Sequence, residues 1–130
     1  MDKVKKHSLV VADTGDFNLI EKYQPEDSTT NPTLINQVTK KPEFKSILDN
    51  SIQFGLKNFG KYCGSEVKEA EWDKINEQQQ SALIDLIFDH ICVSFGCEIL
   101  KRIKGYVSTE VDASLSFNKN ETVKRAKRII

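Results

Sequence analysis

The stretch VVADTGDFNLIEKYQPEDSTTNP, Val10 to Pro32, decides how this chain is read. Leu9-Val10-Val11-Ala12 is a short β-prone run bounded by Asp13 and Gly15, and an apolar residue at every position suits a strand covered on both faces of a parallel sheet. Phe17, Leu19, Ile20 and Tyr23 recur at helical spacing. That helix should stop before Pro25, because the residue ahead of a proline is pushed out of the α region. Asp27 to Asn31, rich in Ser and Thr, runs into an Asn-Pro turn and reads as a second strand, with helical residues again from about Leu34.

Working outward, Pro42 suits a first helical turn, and Phe44, Ile47, Leu48, Ile52, Leu56 and Phe59 form an apolar stripe at spacings of three and four. Gly60 to Gly64 should break this helix, and a charged connector containing Trp72 should run to about Asn76. A second stripe, Leu83, Ile84, Ile87, Ile91, Phe95 and Ile99, predicts a helix ending near Arg102 or Lys104, punctuated by Gly105. Val107, Thr109 and Val111 alternate with Ser108 and Glu110 in a third strand from Tyr106. Asn118 is an N-cap candidate with Glu121 three residues on, and Val123, Ala126, Ile129 and Ile130 open a last amphipathic helix whose apolar face is expected to reach the final residue, as if cut inside an element. Alternating strands and helices argue for βα units and an α/β fold with a parallel sheet. Three strands alone leave unpaired edges, so residues 1–130 are expected to be part of one larger domain, and the isolated chain to be marginally stable or to associate through those edges.

The chain has 130 residues, 19 Lys and Arg against 19 Asp and Glu, and 29% charged residues. A net charge of 0 provides no global field for nucleic acid or an anionic membrane. No apolar run approaches the ~20 residues of a membrane span, and the basic start MDKVKKHS lacks an apolar run behind it, so a cytoplasmic location is expected. Cys63, Cys92 and Cys97 are an odd set without CxxC spacing, read as reduced packing residues. His7 and His90 lack partners at metal-ligand spacing. Neither a metal nor a cofactor is expected.

Asp13, Asn31 and Glu110 each fall at or just beyond the carboxyl end of a predicted strand, the end at which active sites sit in a parallel barrel. Alone, Asp13 in Asp-Thr-Gly-Asp is good turn chemistry. Together, two carboxylates and an amide at one mouth could move protons to and from hydroxyls. The Asp-Thr-Gly triplet also occurs in aspartic proteases, but that reading needs an all-β chain, whereas residues 34 to 104 are largely helical stripes and only six glycines occur.

VVADTGDF, DSTTNPTLI and GYVSTEVDASLSF, with FGCEILKRIKG between the last two, resemble the opening third of transaldolase in order and approximate spacing. Departures are Ser28 where the family often has alanine, Thr33 where it often has serine, and Ser114 where arginine is common. The resemblance implies a (β/α)8 TIM-type barrel of the class I aldolase kind, of which this chain carries about the first three strands. It implies transfer of a dihydroxyacetone unit from a ketose phosphate, sedoheptulose 7-phosphate, to an aldose phosphate, glyceraldehyde 3-phosphate, through a lysine Schiff base in the pentose phosphate pathway. Asp13 would be the acid exchanging a proton with the sugar hydroxyl. Asn31 would bind substrate hydroxyls with Thr29 lining the same strand end, and Glu110 would shuttle protons through a water, while Ser108 and Thr109 support. The family's lysine lies on the next strand, and no lysine here follows a strand on the catalytic face. The chain alone is therefore expected to be inactive, or to be a non-catalytic remnant serving as a binding or structural module; a homodimer, as in the family, is the further partner expectation.

Overall fold

The computed structural model describes residues 2–64 and 70–130. Three short strands lie in chain order, β1 (Val11–Asp13), β2 (Asp27–Thr30) and β3 (Val107–Thr109), each parallel to its neighbour. Asp13 pairs with Thr29 and Thr29 with Ser108, so these three residues form one row across the sheet. Strand alternation then separates two faces. Ser28 and Thr30 are buried on one face, and Val11, Asp13 and Ser108 are exposed on the other.

The expectation that the first strand is covered on both faces is overturned. Leu9 is 70% and Val11 50% exposed. Helices cover one face only, and β1 is an outer strand, so an apolar run suited to double burial keeps an open side.

Six helices accompany the sheet among the described residues: α1 (Asp2–Lys5), α2 (Phe17–Tyr23), α3 (Pro32–Val38), α4 (Lys45–Cys63), α5 (Glu77–Leu100) and α6 (Lys119–Ile129). The α1 turn, not anticipated from the basic start, is tied to the end of α2 by Lys5 Nζ, which donates to the carbonyls of Tyr23 and Gln24 at 2.7 and 2.8 Å. The α2 helix stops ahead of Pro25, as read, with Gln24 in the left-handed region at φ 45°. The α3 helix opens two residues before Leu34, because Asn31 caps it and Pro32 occupies the first turn.

Gly60 does not break α4. The helix continues to Cys63 and ends at Gly64, whose φ of 65° is the left-handed cap. A helical glycine costs only ~1 kcal/mol, and fully buried Phe59 with Leu56 and Cys63 packed around it hold the last turn in place. Trp72 lies in a 3-10 turn, Trp72–Lys74, and residues 65–69 of the expected connector fall outside the described residues. The α5 helix starts at a capping box, in which Gln79 N donates to Asn76 Oδ1 and Gln79 Oε1 accepts from Asn76 N.

The α4 and α5 helices run antiparallel, Ser51 meeting His90 and Cys63 meeting Ala82. Gly55 permits this approach, since a Cβ there would lie 2.3 Å from Ile87 Cγ1. One core cluster joins Ile35, Val38, Phe44, Ile91, Cys92 and Phe95 beneath the sheet, where the Phe17 and Phe44 rings meet edge to face at 4.9 Å. Gly96 of α5 faces Val107 and Thr109 of β3.

The apolar positions of α6 are not its most buried ones, with Ala126 and Ile129 half-buried. Val123 is exposed and Ile130 fully so, while the buried residue is Arg125. Its Nε donates to Asp89 Oδ1 at 2.9 Å and its guanidinium reaches Asp85 Oδ1 at 3.1 Å; Arg128 Nε adds a 2.7 Å bond to Asp89 Oδ2. Burial opposes the charge on Arg125, and the two aspartates overcome it, leaving its pKa above the ordinary value.

Candidate active site

The carboxyl ends of the three strands carry polar side chains: Asp13 on β1, Thr29 and Thr30 on β2, and Thr109 on β3. Asp13 is the last residue of β1, and its Oδ1 accepts a 2.9 Å hydrogen bond from Thr29 Oγ1, across the register that pairs the two residues. The bond holds the carboxylate over the sheet and orients it from one side. Beyond the strands the ladder continues for one step on each flank: Thr14 N donates to Thr29 O at 3.2 Å and Glu110 N to Thr30 O at 3.3 Å. That second bond brings Glu110 beside Asn31.

Asn31 is extended, at φ −135° and ψ 163°, and its Oδ1 accepts from Leu34 N at 2.9 Å. Capping fixes the side-chain amide and assigns its oxygen to the helix, so Nδ2 is the end with which Asn31 could donate to a ligand hydroxyl. Asn31 and Glu110 line one cavity of about 430 Å³, together with Thr33, Leu34 and Asp112. Asp13 and Thr29 are not among its lining residues. The structure therefore brings the four sequence-derived residues together as two pairs, Asp13 with Thr29 by a hydrogen bond and Asn31 with Glu110 across a cavity, and the last residues of β2 join them.

Asp112 was not singled out from the sequence, although Asp-Ala-Ser is a readable side-chain turn signal. Hydrogen bonds from Ser114, the hydroxyl first and the backbone amide second, hold its carboxyl below the usual range against a smaller effect of burial. Ser114 thus fixes a side chain that lines the cavity.

Lys41 is ion-paired to Asp16, the cap of α2. The hydrogen bond to Asp16 pushes the Lys41 ammonium above its ordinary pKa. A lysine nucleophile needs the opposite shift. Among the described residues, no three His, Cys, Asp or Glu side chains are grouped to hold a metal ion, and no helix is long and apolar enough to cross a membrane.

Comparison with known proteins gives the family. A family model described as Transaldolase/Fructose-6-phosphate aldolase matches residues 10–130. Proteins named transaldolase from Cricetulus griseus and Homo sapiens are 44% and 42% identical over 130 residues, all of this chain and 33% of each relative. The transaldolase of Buchnera aphidicola subsp. Cinara cedri (strain Cc) is 43% identical over the same span, 35% of its own length. The chain thus spans about a third of the length of the curated relatives it matches.

Proposed function

We propose a function from the premise that the chain belongs to the transaldolase/fructose-6-phosphate aldolase family. The family's fold is a TIM barrel, and three parallel strands in chain order, with helices on one face, are consistent with part of one. Residues 1–130 make up an incomplete single domain of that barrel. They supply the acid-base half of a transaldolase, which moves a dihydroxyacetone unit from sedoheptulose 7-phosphate to glyceraldehyde 3-phosphate through a lysine Schiff base, in the pentose phosphate pathway and in the cytoplasm.

The observation that carries this reading is the 2.9 Å bond from Thr29 to Asp13 on a sheet whose next two strand ends hold Asn31 and Glu110 around one cavity. In the proposed reaction Asp13 takes the proton from the sugar hydroxyl as the carbon-carbon bond breaks and returns it when the new bond forms. Thr29, by donating to Asp13, keeps one carboxylate oxygen occupied and the other directed at substrate. Asn31 Nδ2 donates to a substrate hydroxyl, and Glu110, through a water, moves protons as the carbinolamine forms and collapses. The lysine that attacks the ketose carbonyl is not one of this chain's lysines, so the chain by itself is inactive.

Borohydride trapping with fructose 6-phosphate tests this. No adduct should form on this chain alone, and one should form once a complementary carboxyl-terminal segment of a relative is added. A stable adduct on this chain alone overturns the claim that its lysines are not the nucleophile. No adduct even with the complement supports the alternative of a non-catalytic remnant.

A further inference from the structure

Two adjoining cavities on the helical side of the molecule have complementary chemistry, and none of Asp13, Thr29, Asn31 or Glu110 lines either of them. The larger, about 540 Å³, lies between the end of α4, the first half of α5 and α6, and five cations border it: Lys61, Lys124, Arg125, Lys127 and Arg128. The smaller, about 200 Å³, is bordered by the rings of Phe54, Tyr62 and His90 and by Val93. Tyr62 and Arg128 line both cavities, which meet at these two side chains.

The charge at the larger cavity is not fully compensated. Arg125 pairs with Asp85 and Asp89, Arg128 with Asp89, and Lys124 with Glu121 at 3.4 Å. Lys61 and Lys127 have no ion pair among the described residues, and Lys61 Nζ sits 4.9 Å from the Tyr62 ring centroid. Five cations against three carboxylates leave a local positive excess on a chain of net charge 0, and charge gathered in a concave site concentrates anions.

The smaller cavity offers flat ring surface beside that charge. Phe54 and His90 stack with centroids 4.0 Å apart, and Phe54 and Tyr62 lie 5.7 Å apart. Such surfaces accept a planar heteroaromatic ring by stacking, with little regard to its substituents. A slot lined by rings and aliphatic side chains, with the Asp89–Arg128 ion pair at its border, joined to a basic cavity with room for a short phosphate chain, matches a ligand that carries both. Together the cavities fall within the ~300–1,000 Å³ common for small-molecule sites.

We propose that the joined cavities form a nucleotide-binding site, separate from the strand-end site, with the base against Tyr62, His90 and Val93 and the phosphates toward Lys61, Lys127 and Arg128. Titration of ATP into the chain, followed by calorimetry and by amide chemical shifts, tests it, with inorganic triphosphate and adenosine as separate arms. ATP should bind at least tenfold more tightly than either part alone, and the shifts should cluster around Tyr62, His90 and Lys127. Lys61→Gln with Lys127→Gln should weaken ATP at least tenfold. Tyr62→Leu should weaken ATP and leave triphosphate unchanged. All three positions are exposed, so these variants keep the fold. Triphosphate binding as tightly as ATP would show general attraction to a basic helix and overturn the proposal. So would absence of ATP binding at millimolar concentration, shifts scattered over the surface, or variants that bind like the parent chain.

Discussion

Arg125 Nε lies 2.9 Å from Asp89 Oδ1 with both residues almost removed from water, at 8% and 5% exposure. This pair seats α6 on α5, and α6 in turn holds the segment that follows Glu110: Thr122 Oγ1 donates to Leu115 O at 2.8 Å. Arg125→Met should cost ~3–5 kcal/mol, because it leaves Asp89 buried with only its partner Arg128, and combining it with Asp89→Leu should recover a large part of that loss. Urea unfolding of the single and double variants measures both. A single variant within ~1 kcal/mol of the parent, the range of an exposed pair, would show that the cluster is solvated.

The Asp13–Thr29 bond carries a second expectation, which rests on the proposed function. In a barrel completed by a carboxyl-terminal segment, Asp13→Asn should lower kcat by ~10²–10⁴, the range typical of a general acid or base. Thr29→Val removes one hydrogen bond, worth ~0.5–1.5 kcal/mol, and should lower kcat less than Asp13→Asn while leaving the fold intact. Steady-state kinetics with circular dichroism as a fold check decides it. Equal losses from both variants would indicate that Thr29 itself takes part in the chemistry.

His90 gives a pH dependence. His90 Nδ1 lies 2.9 Å from Ser51 Oγ and 3.3 Å from Ser94 Oγ, in a half-buried position against the Phe54 ring. Burial pushes its pKa below 6.5. The unfolded chain thus takes up a proton first as pH falls, and stability should decline from pH ~6.5 down to the depressed folded value, with no contribution from this group above that window. Urea midpoints at descending pH should show the decline in the parent and a flatter profile in His90→Gln. Parallel profiles would assign the slope to other groups.

Legibility of this fold follows the range of the interaction that decides each feature. The cap at Asn118, the stop at Pro25 and the placement of Asp13, Asn31 and Glu110 at strand ends depend on residues within a few positions, and period and turn chemistry expose them. The docking of α6 does not: Arg125 counts as a polar surface residue until Asp89, 36 positions away, is brought beside it. The same holds for β1, whose apolar run states that burial would be favourable but not that only one face would be covered. Within Gly60 to Gly64 the helix stops at the last glycine rather than the first, since the packing of Phe59 outweighs the local cost of Gly60. Asn31 and Glu110 share a cavity only because the 76 residues between β2 and β3 return the chain in parallel beside β2.

The uncovered sheet face leads to a last expectation. β1 and β3 are the outer strands of the three-stranded sheet, and Leu9, Val11, Tyr106 and Phe117 are exposed at 70, 50, 82 and 104%. Outer strands present unpaired amides and carbonyls that another strand can satisfy, and exposed apolar side chains beside them favour that pairing. The chain should therefore associate with itself, with an average mass in sedimentation that rises with concentration. A lysine on an outer strand opposes such pairing, because close approach of a second copy would desolvate the charge. Val11→Lys and Tyr106→Lys, both at exposed positions, should each reduce association with little effect on the folded chain, and together they should reduce it further. A parent chain that stays monomeric at every concentration, and unfolds in one sharp two-state transition, would show instead that its outer strands need no partner.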